Sequence, residues 1–186
     1  MWDEEIISLY QKRDEQAIKE TELKYSSYLM KIAYNILSDQ EDSKECVNET
    51  YLRAWRSIPP HEPKVLSAYL GKITRQLSID LFRTKNREKR KGSQYAVSLC
   101  ELEECIPDKA TAELMTDTNL LAEAINSYLR TLSPQMRSVF VTRYYFSDSV
   151  KEIAAYCKMS ESKVKSMLYR IRQGLKKYLT KEGFDI

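Results

Sequence analysis

After Ser160, six side chains on one helical stretch could make specific contacts: Ser162, Lys165, Ser166, Tyr169, Arg170 and Gln173. At helical spacing they share a face opposite the apolar stripe Val164, Leu168, Ile171, Leu175 and Leu179. Hydroxyl, amide and cationic groups of this kind hydrogen-bond base edges and phosphates in a major groove. The same pattern also fits an amphipathic helix whose polar face is simply solvated. Between Lys158 and Lys177, seven Lys or Arg stand against the one acid Glu161, and this excess favours a nucleic acid.

That face needs an element to aim it. Ile153, Ala154 and Cys157 form a short apolar set, followed by the break Lys158-Met159-Ser160. Ser160 is a good N-cap, because its hydroxyl can accept a free backbone N–H. Helix, tight turn and basic second helix make the layout of a helix-turn-helix over Val150–Leu179.

A second set of candidates lies upstream. A helix is expected over about Val65–Arg90, with Leu66, Leu70, Ile73, Leu77 and Leu81 on its buried side. Tyr69, Lys72, Arg75, Gln76 and Arg83 lie off that stripe. An aromatic ring among cations suits unstacked single-stranded nucleic acid. A core tyrosine beside surface bases fits the stretch equally well. Gly71 within the helix costs about 1 kcal/mol relative to alanine, and nothing in the sequence accounts for it.

Low Gly and Pro counts (4 and 5 in 186 residues) and 42% hydrophobic residues favour an all-α chain of two small helical domains. Helices are expected over about Asp3–Lys12 and Glu15–Leu37. The second has Asp14 as cap and Ile18, Leu23, Tyr25, Leu29, Ile32, Ala33 and Ile36 facing inward. The next, Asp42–Arg56, has the stripe Val47, Tyr51, Leu52 and Trp55, with Glu45, Asn48, Glu49, Arg53 and Arg56 polar. The prolines make Ser57–Pro63 a loop. Domain bounds of 1–91, a flexible acidic linker 92–116 and 117–186 follow from the change in composition. The linker is expected to be a solvated tether. In the second domain, helices are expected over about Thr118–Thr131 and Pro134–Phe146, the latter started by Ser133 and Pro134.

Other functions find little support. The acidic start MWDEEIISLY is no secretory signal, and no apolar run reaches membrane-spanning length. His61 is the one histidine, and Cys46, Cys100, Cys105 and Cys157 have no metal-ligand spacing. Cys46 and Cys157 read as buried thiols. Cys100 and Cys105 read as reduced cysteines, with a redox pair the lesser alternative. No nucleophile–base set or phosphate-binding glycine loop appears, so neither an enzyme nor a cofactor is expected.

Four blocks in order resemble the extracytoplasmic-function (ECF) sigma factors of bacterial RNA polymerase. They are the Asp42–Arg56 helix, the Leu66–Arg83 helix, Leu132-Ser-Pro134, and Glu152-Ile-Ala154 continuing to Val164-Lys-Ser166 and Arg170. The resemblance implies that Glu45, Asn48, Glu49, Leu52 and Arg53 dock on the clamp helices of core RNA polymerase. It implies that Tyr69, Lys72, Arg75, Gln76, Asp80 and Arg83 engage the melted −10 element. It assigns Ser162, Lys163, Lys165, Ser166, Tyr169 and Arg170 to the −35 duplex. A cytoplasmic protein that also contacts the polymerase flap is implied, often held by a membrane-anchored anti-sigma factor. Tyr69 stands where the family usually has Trp, Gln76 where it has Asn, and Lys158 where the turn often has Gly. These departures bear on sequence preference rather than on class. A free-standing helix-turn-helix regulator is the alternative, and it would need dimerisation or an effector domain.

Overall fold

A computed structural model describes residues 1–85, 93–106, 115–184 and 186. Its helices are α1 (Asp3–Gln11), α2 (Gln16–Leu37), α3 (Gln40–Ser57), α4 (Leu66–Thr84), α5 (Gln94–Glu103), α6 (Met115–Thr131), α7 (Pro134–Tyr144), α8 (Val150–Cys157) and α9 (Glu161–Lys181). No strand occurs among the described residues, in keeping with the all-α expectation. The chain divides into two units, Met1–Ser93 and Gln94–Ile186.

In the first unit, α2, α3 and α4 pack mutually and α1 lies on α2. Tyr10, Leu29, Ala33, Val47, Tyr51, Leu66 and Leu70 lie in one core. The expected cap of α2 shifts by one residue: Glu15 is the N-cap and its side chain makes no capping bond, while Asp14 Oδ1 accepts Gln16 N–H at 2.9 Å from the position before it. Asp39 caps α3 by accepting from Glu41 N and Asp42 N at 3.0 and 3.1 Å. Between α3 and α4 runs a buried hydroxyl seam, Thr50 Oγ1 to Thr74 Oγ1 at 2.9 Å. Thr50 Oγ1 also lies 2.8 Å from Cys46 O and Thr74 Oγ1 3.0 Å from Leu70 O, so the two hydroxyl protons share three acceptors and neither is stranded.

Gly71 now has a reason. A Cβ there would meet the Tyr28 hydroxyl at 2.7 Å and Ile32 Cδ1 at 3.4 Å, so α2 and α4 approach across a missing side chain. Two expectations need correction. Leu23 is 71% exposed rather than inward, because the α2 stripe through Tyr25, Leu29, Ile32 and Ile36 already faces the partner helices. Helix α4 stops at Thr84 rather than near Arg90, since Lys85 is extended (φ −81°, ψ 139°). Residues 86–90 of the expected helix lie outside the described residues.

In the second unit, α6, α7 and α8 all pack on α9. Its core holds Tyr128, Val139, Phe140, Ile153, Leu168, Ile171 and Leu175. Ser133 caps α7 by accepting Met136 N–H at 3.3 Å, as its place before Pro134 predicts. Ser149 and Glu152 cap α8 reciprocally, with N–H to side-chain distances of 3.2 and 2.9 Å. Lys158 then takes the left-handed conformation (φ 51°) that turns the chain into α9.

The expected linker differs most. Gln94–Glu103 is helical and belongs to the second unit, where α5 packs on α7. The tether reading fails over this stretch because the face that α5 buries is largely polar, which hides it from apolar periodicity. Residues 107–114 lie outside the described residues.

Gly174 is a second close approach. The buried Tyr128 hydroxyl donates to Ile171 O at 2.9 Å, and a Cβ at Gly174 would lie 2.3 Å from the tyrosine's own Oη. Alanine at this position gains about 1 kcal/mol of helix propensity. It overpacks the α6–α9 contact and breaks the hydrogen bond, for a net loss of about 2 kcal/mol. Urea denaturation should show this loss for Gly174→Ala, and a smaller one when Tyr128→Phe is already present.

Candidate nucleic-acid interface

Helix α9 buries Val164, Met167, Leu168, Ile171, Leu175 and Leu179. That fixes its rotation about its own axis, and Ser162, Lys163, Lys165, Ser166, Tyr169 and Arg170 are all exposed as a result. Tyr169 is 57% exposed, a large ring left in solvent with no core to serve. The N-terminus of α9 is set by Ser160, whose Oγ accepts Lys163 N–H at 3.3 Å. Glu161 is the one acid of its first turn. The arrangement can offer hydroxyls, a phenol and three cations to a groove without repacking the helix.

On α4, Tyr69, Lys72, Gln76, Asp80 and Arg83 recur at helical spacing and form one row. Lys72, Gln76, Asp80 and Arg83 are exposed. Tyr69 is half-buried, and its hydroxyl donates to Ser57 Oγ at 2.7 Å. Arg75 falls to the flank of this row and is half-buried. His61, not among the candidates from sequence, joins Tyr69 with ring centroids 6.3 Å apart. Its Nδ1 lies 3.2 Å from Ser57 O. A lone loop histidine carries no periodicity, so only the fold brings the two rings together.

On α3, Glu45, Asn48, Leu52 and Arg53 are exposed and Glu49 is half-buried. Arg53 Nε pairs with Glu49 Oε1 at 3.3 Å. A groove of about 300 Å³ separates this face from α4, lined by Glu45, Cys46, Glu49, Leu77, Asp80, Leu81 and Thr84. Carboxylates rim it and leucines floor it, so it suits a basic amphipathic segment. The groove joins two candidate sets that sequence kept apart, since Asp80 comes from one and Glu45 and Glu49 from the other.

The second unit carries a charged cluster that sequence missed altogether. Glu101 of α5 accepts two bonds from Arg143 of α7, Nη2 to Oε1 at 2.7 Å and Nε to Oε2 at 3.1 Å. Tyr144 donates to Glu101 Oε2 at 3.1 Å, and Arg172 of α9 donates to Tyr144 Oη at 2.8 Å. Burial pushes the Tyr144 phenol well above its usual range, so it stays protonated and able to donate. Burial alone would raise the Glu101 carboxyl, but bonds and charge from Arg143, with Tyr144 and Arg172, hold it below the usual range. Cys105 nearby is buried and Cys100 is exposed, both as free thiols. Burial pushes the Cys105 thiol up, which makes it a poor redox partner.

No described helix is long and apolar enough to cross a membrane. The model for sigma-70 region 2 matches residues 23–88, and that for sigma-70 region 4 matches residues 122–175. The chain is similar to the ECF RNA polymerase sigma factor SigE of Mycolicibacterium smegmatis, 25% identical over 161 residues. That alignment takes in 87% of this chain and 61% of the relative, so the chain spans under two thirds of that protein's length. SigW of Bacillus subtilis is 23% identical over 176 residues, 93% of this chain and 94% of that one. SigL of Mycobacterium tuberculosis is 28% identical over 161 residues, 86% of each. A solved structure titled as CnrH in complex with the cytosolic domain of CnrY aligns with a TM-score of 0.45 at 18% identity, covering 97% of this chain and 99% of that one. The two sigma-70 matches fall one in each unit, in family order, and the relatives align along most of the chain: it belongs to the ECF sigma factors of bacterial RNA polymerase.

Proposed function

We propose that the chain is a dissociable promoter-specificity subunit, binding core RNA polymerase in the cytoplasm and directing it to particular promoters. The observation that carries this reading is the pair of faces on separate units, exposed Lys72, Gln76, Asp80 and Arg83 beside half-buried Tyr69 on α4, and the exposed side of Ser162–Arg170 on α9. Each face suits a different form of DNA. Tyr69, Lys72, Arg75, Gln76, Asp80 and Arg83 would take the opened −10 strand, where rings stack on bases and cations follow the backbone. Ser162, Lys163, Lys165, Ser166, Tyr169 and Arg170 would read the −35 element as duplex.

Glu45, Asn48, Glu49, Leu52 and Arg53 would dock on the clamp helices of the largest polymerase subunit. Leu52, 38% exposed among charged neighbours, is the apolar anchor of that contact. An anti-sigma factor would compete for the polymerase-facing surfaces, and the second unit would meet the polymerase flap. The chain performs no catalysis in this reading, because the polymerase supplies it.

Mixing the purified chain with core polymerase and a promoter library tests the proposal by run-off transcription. Specific transcripts that require both components are expected. Tight specific duplex binding with no core binding would instead make the chain a free-standing helix-turn-helix regulator.

A further inference from the structure

Arg143, Tyr144 and Arg172 form a slot for a carboxylate on the second unit, and the occupant is this chain's own Glu101. The Arg143 side chain is 2% exposed and also donates to Gln94 Oε1 at 3.1 Å and Asp148 O at 2.9 Å. Residues 94–103 fall between the two stretches matched by sigma-70 regions, so neither region accounts for α5.

The helix is docked by polarity. Gln94, Ser98 and Glu101 share the face turned to the unit, while Val97 and Leu99 are left 42% and 37% exposed. Leu102 and Ile106 add apolar contact at its C-terminal end. A helix docked through a carboxylate in a two-arginine slot can be released by a group that takes the carboxylate's place, and a phosphate oxygen accepts the same guanidinium bonds.

Its position on α9 gives this contact a consequence. Lys165, Tyr169, Arg172 and Lys176 follow one another at helical spacing along one side of α9. The first two belong to the reading face and are exposed. The last two are engaged by α5 and the turn after it: Arg172 Nη1 lies 3.6 Å from Glu101 Oε2, and Lys176 Nζ donates to Glu104 O at 3.4 Å. Glu103 and Glu104 add exposed negative charge beside the same row. DNA phosphates draw on this kind of cation row for sequence-independent affinity.

We propose that α5 is an acidic strap, which occupies the distal end of the basic row of α9 and holds back duplex binding until phosphates displace it. This rests on the assignment of the α9 face to duplex DNA. Displacement frees Arg172 and Lys176, so the restraint equals the counterion release of up to two phosphate contacts.

The test uses the full chain with a random-sequence duplex at low ionic strength, read by fluorescence anisotropy. Glu101→Gln keeps the shape and one acceptor but removes the charge. It should bind about tenfold more tightly, with a log–log salt slope steeper by about one to two. Hydrogen exchange on the unaltered chain gives a reading independent of any variant's stability: the α5 amides should exchange faster once duplex is bound. Equal or weaker binding by folded Glu101→Gln, or α5 amides unchanged or slowed by duplex, overturns the strap. Failure of the underlying assignment shows separately, as duplex binding unaffected by Lys165→Ala and Arg170→Ala together.

Discussion

Holoenzyme assembled with a chain carrying Lys165→Ala and Arg170→Ala loses about 100-fold or more of its run-off transcription from promoters that depend on a −35 element. Both side chains leave α9 on its solvent face, and neither supports the fold. Arg170 makes one long bond within its own helix, Nε to Ser166 O at 3.4 Å, so its guanidinium can turn to a base at little cost. Bidentate contacts to a base edge are worth about 1–3 kcal/mol each, and two removed together multiply in rate. Because the substitutions are exposed, stability should stay within about 0.5 kcal/mol of the original by urea denaturation. Core binding should stay close to the original, since the named docking residues lie on α3 and neither Lys165 nor Arg170 is among them. Transcription that survives the double substitution would place the reading face elsewhere on α9.

Much of this face was legible in the residues alone, and the reason is local. The α9 stripe Val164, Leu168, Ile171, Leu175 and Leu179 repeats at helical spacing, so the side that is left over must face away from the core. The starts of α7 and α9 were equally readable, because Ser133 and Ser160 satisfy N–H groups three positions along. Lys158 at φ 51° shows that a turn often made with glycine can hold lysine when the flanking helices close it.

What stayed hidden depends on residues far apart in the chain. Gly71 and Gly174 are explained by Tyr28 and Tyr128, each on another helix. Leu23 is apolar and lies near the α2 stripe, yet it faces solvent because the stripe is already filled. Helix α5 was invisible for a different reason. Periodicity finds buried apolar faces, and α5 turns Gln94 and Glu101 to an arginine of α7 and buries Ser98 on the same side. Nothing local marks Arg143 as buried, because a base among Val139, Phe140 and Tyr144 finds its acid only on another helix.

Arg143→Ala should therefore lower the stability of the second unit by about 3 kcal/mol at neutral pH. Breaking one side of a buried pair strands the other, and the loss takes the low end of the usual range because Glu101 keeps Tyr144 and Arg172 and is 26% exposed. For a unit of this size the midpoint should fall by at least about 12 °C. The measurement has an internal control: both tryptophans, Trp2 and Trp55, belong to the first unit. Far-UV circular dichroism should show the shifted transition while tryptophan fluorescence melts as before. The effect should also depend on pH. A carboxyl held below its unfolded pKa adds stability above that value and loses it as pH falls through the folded one. The gap between the two proteins should be full at pH 7 and narrow below about pH 4, as Glu101 takes up its proton. A gap that keeps its full size in acid would mean that Arg143 stabilises the unit through packing and its bonds to Gln94 and Asp148, and that the charge on α5 contributes little.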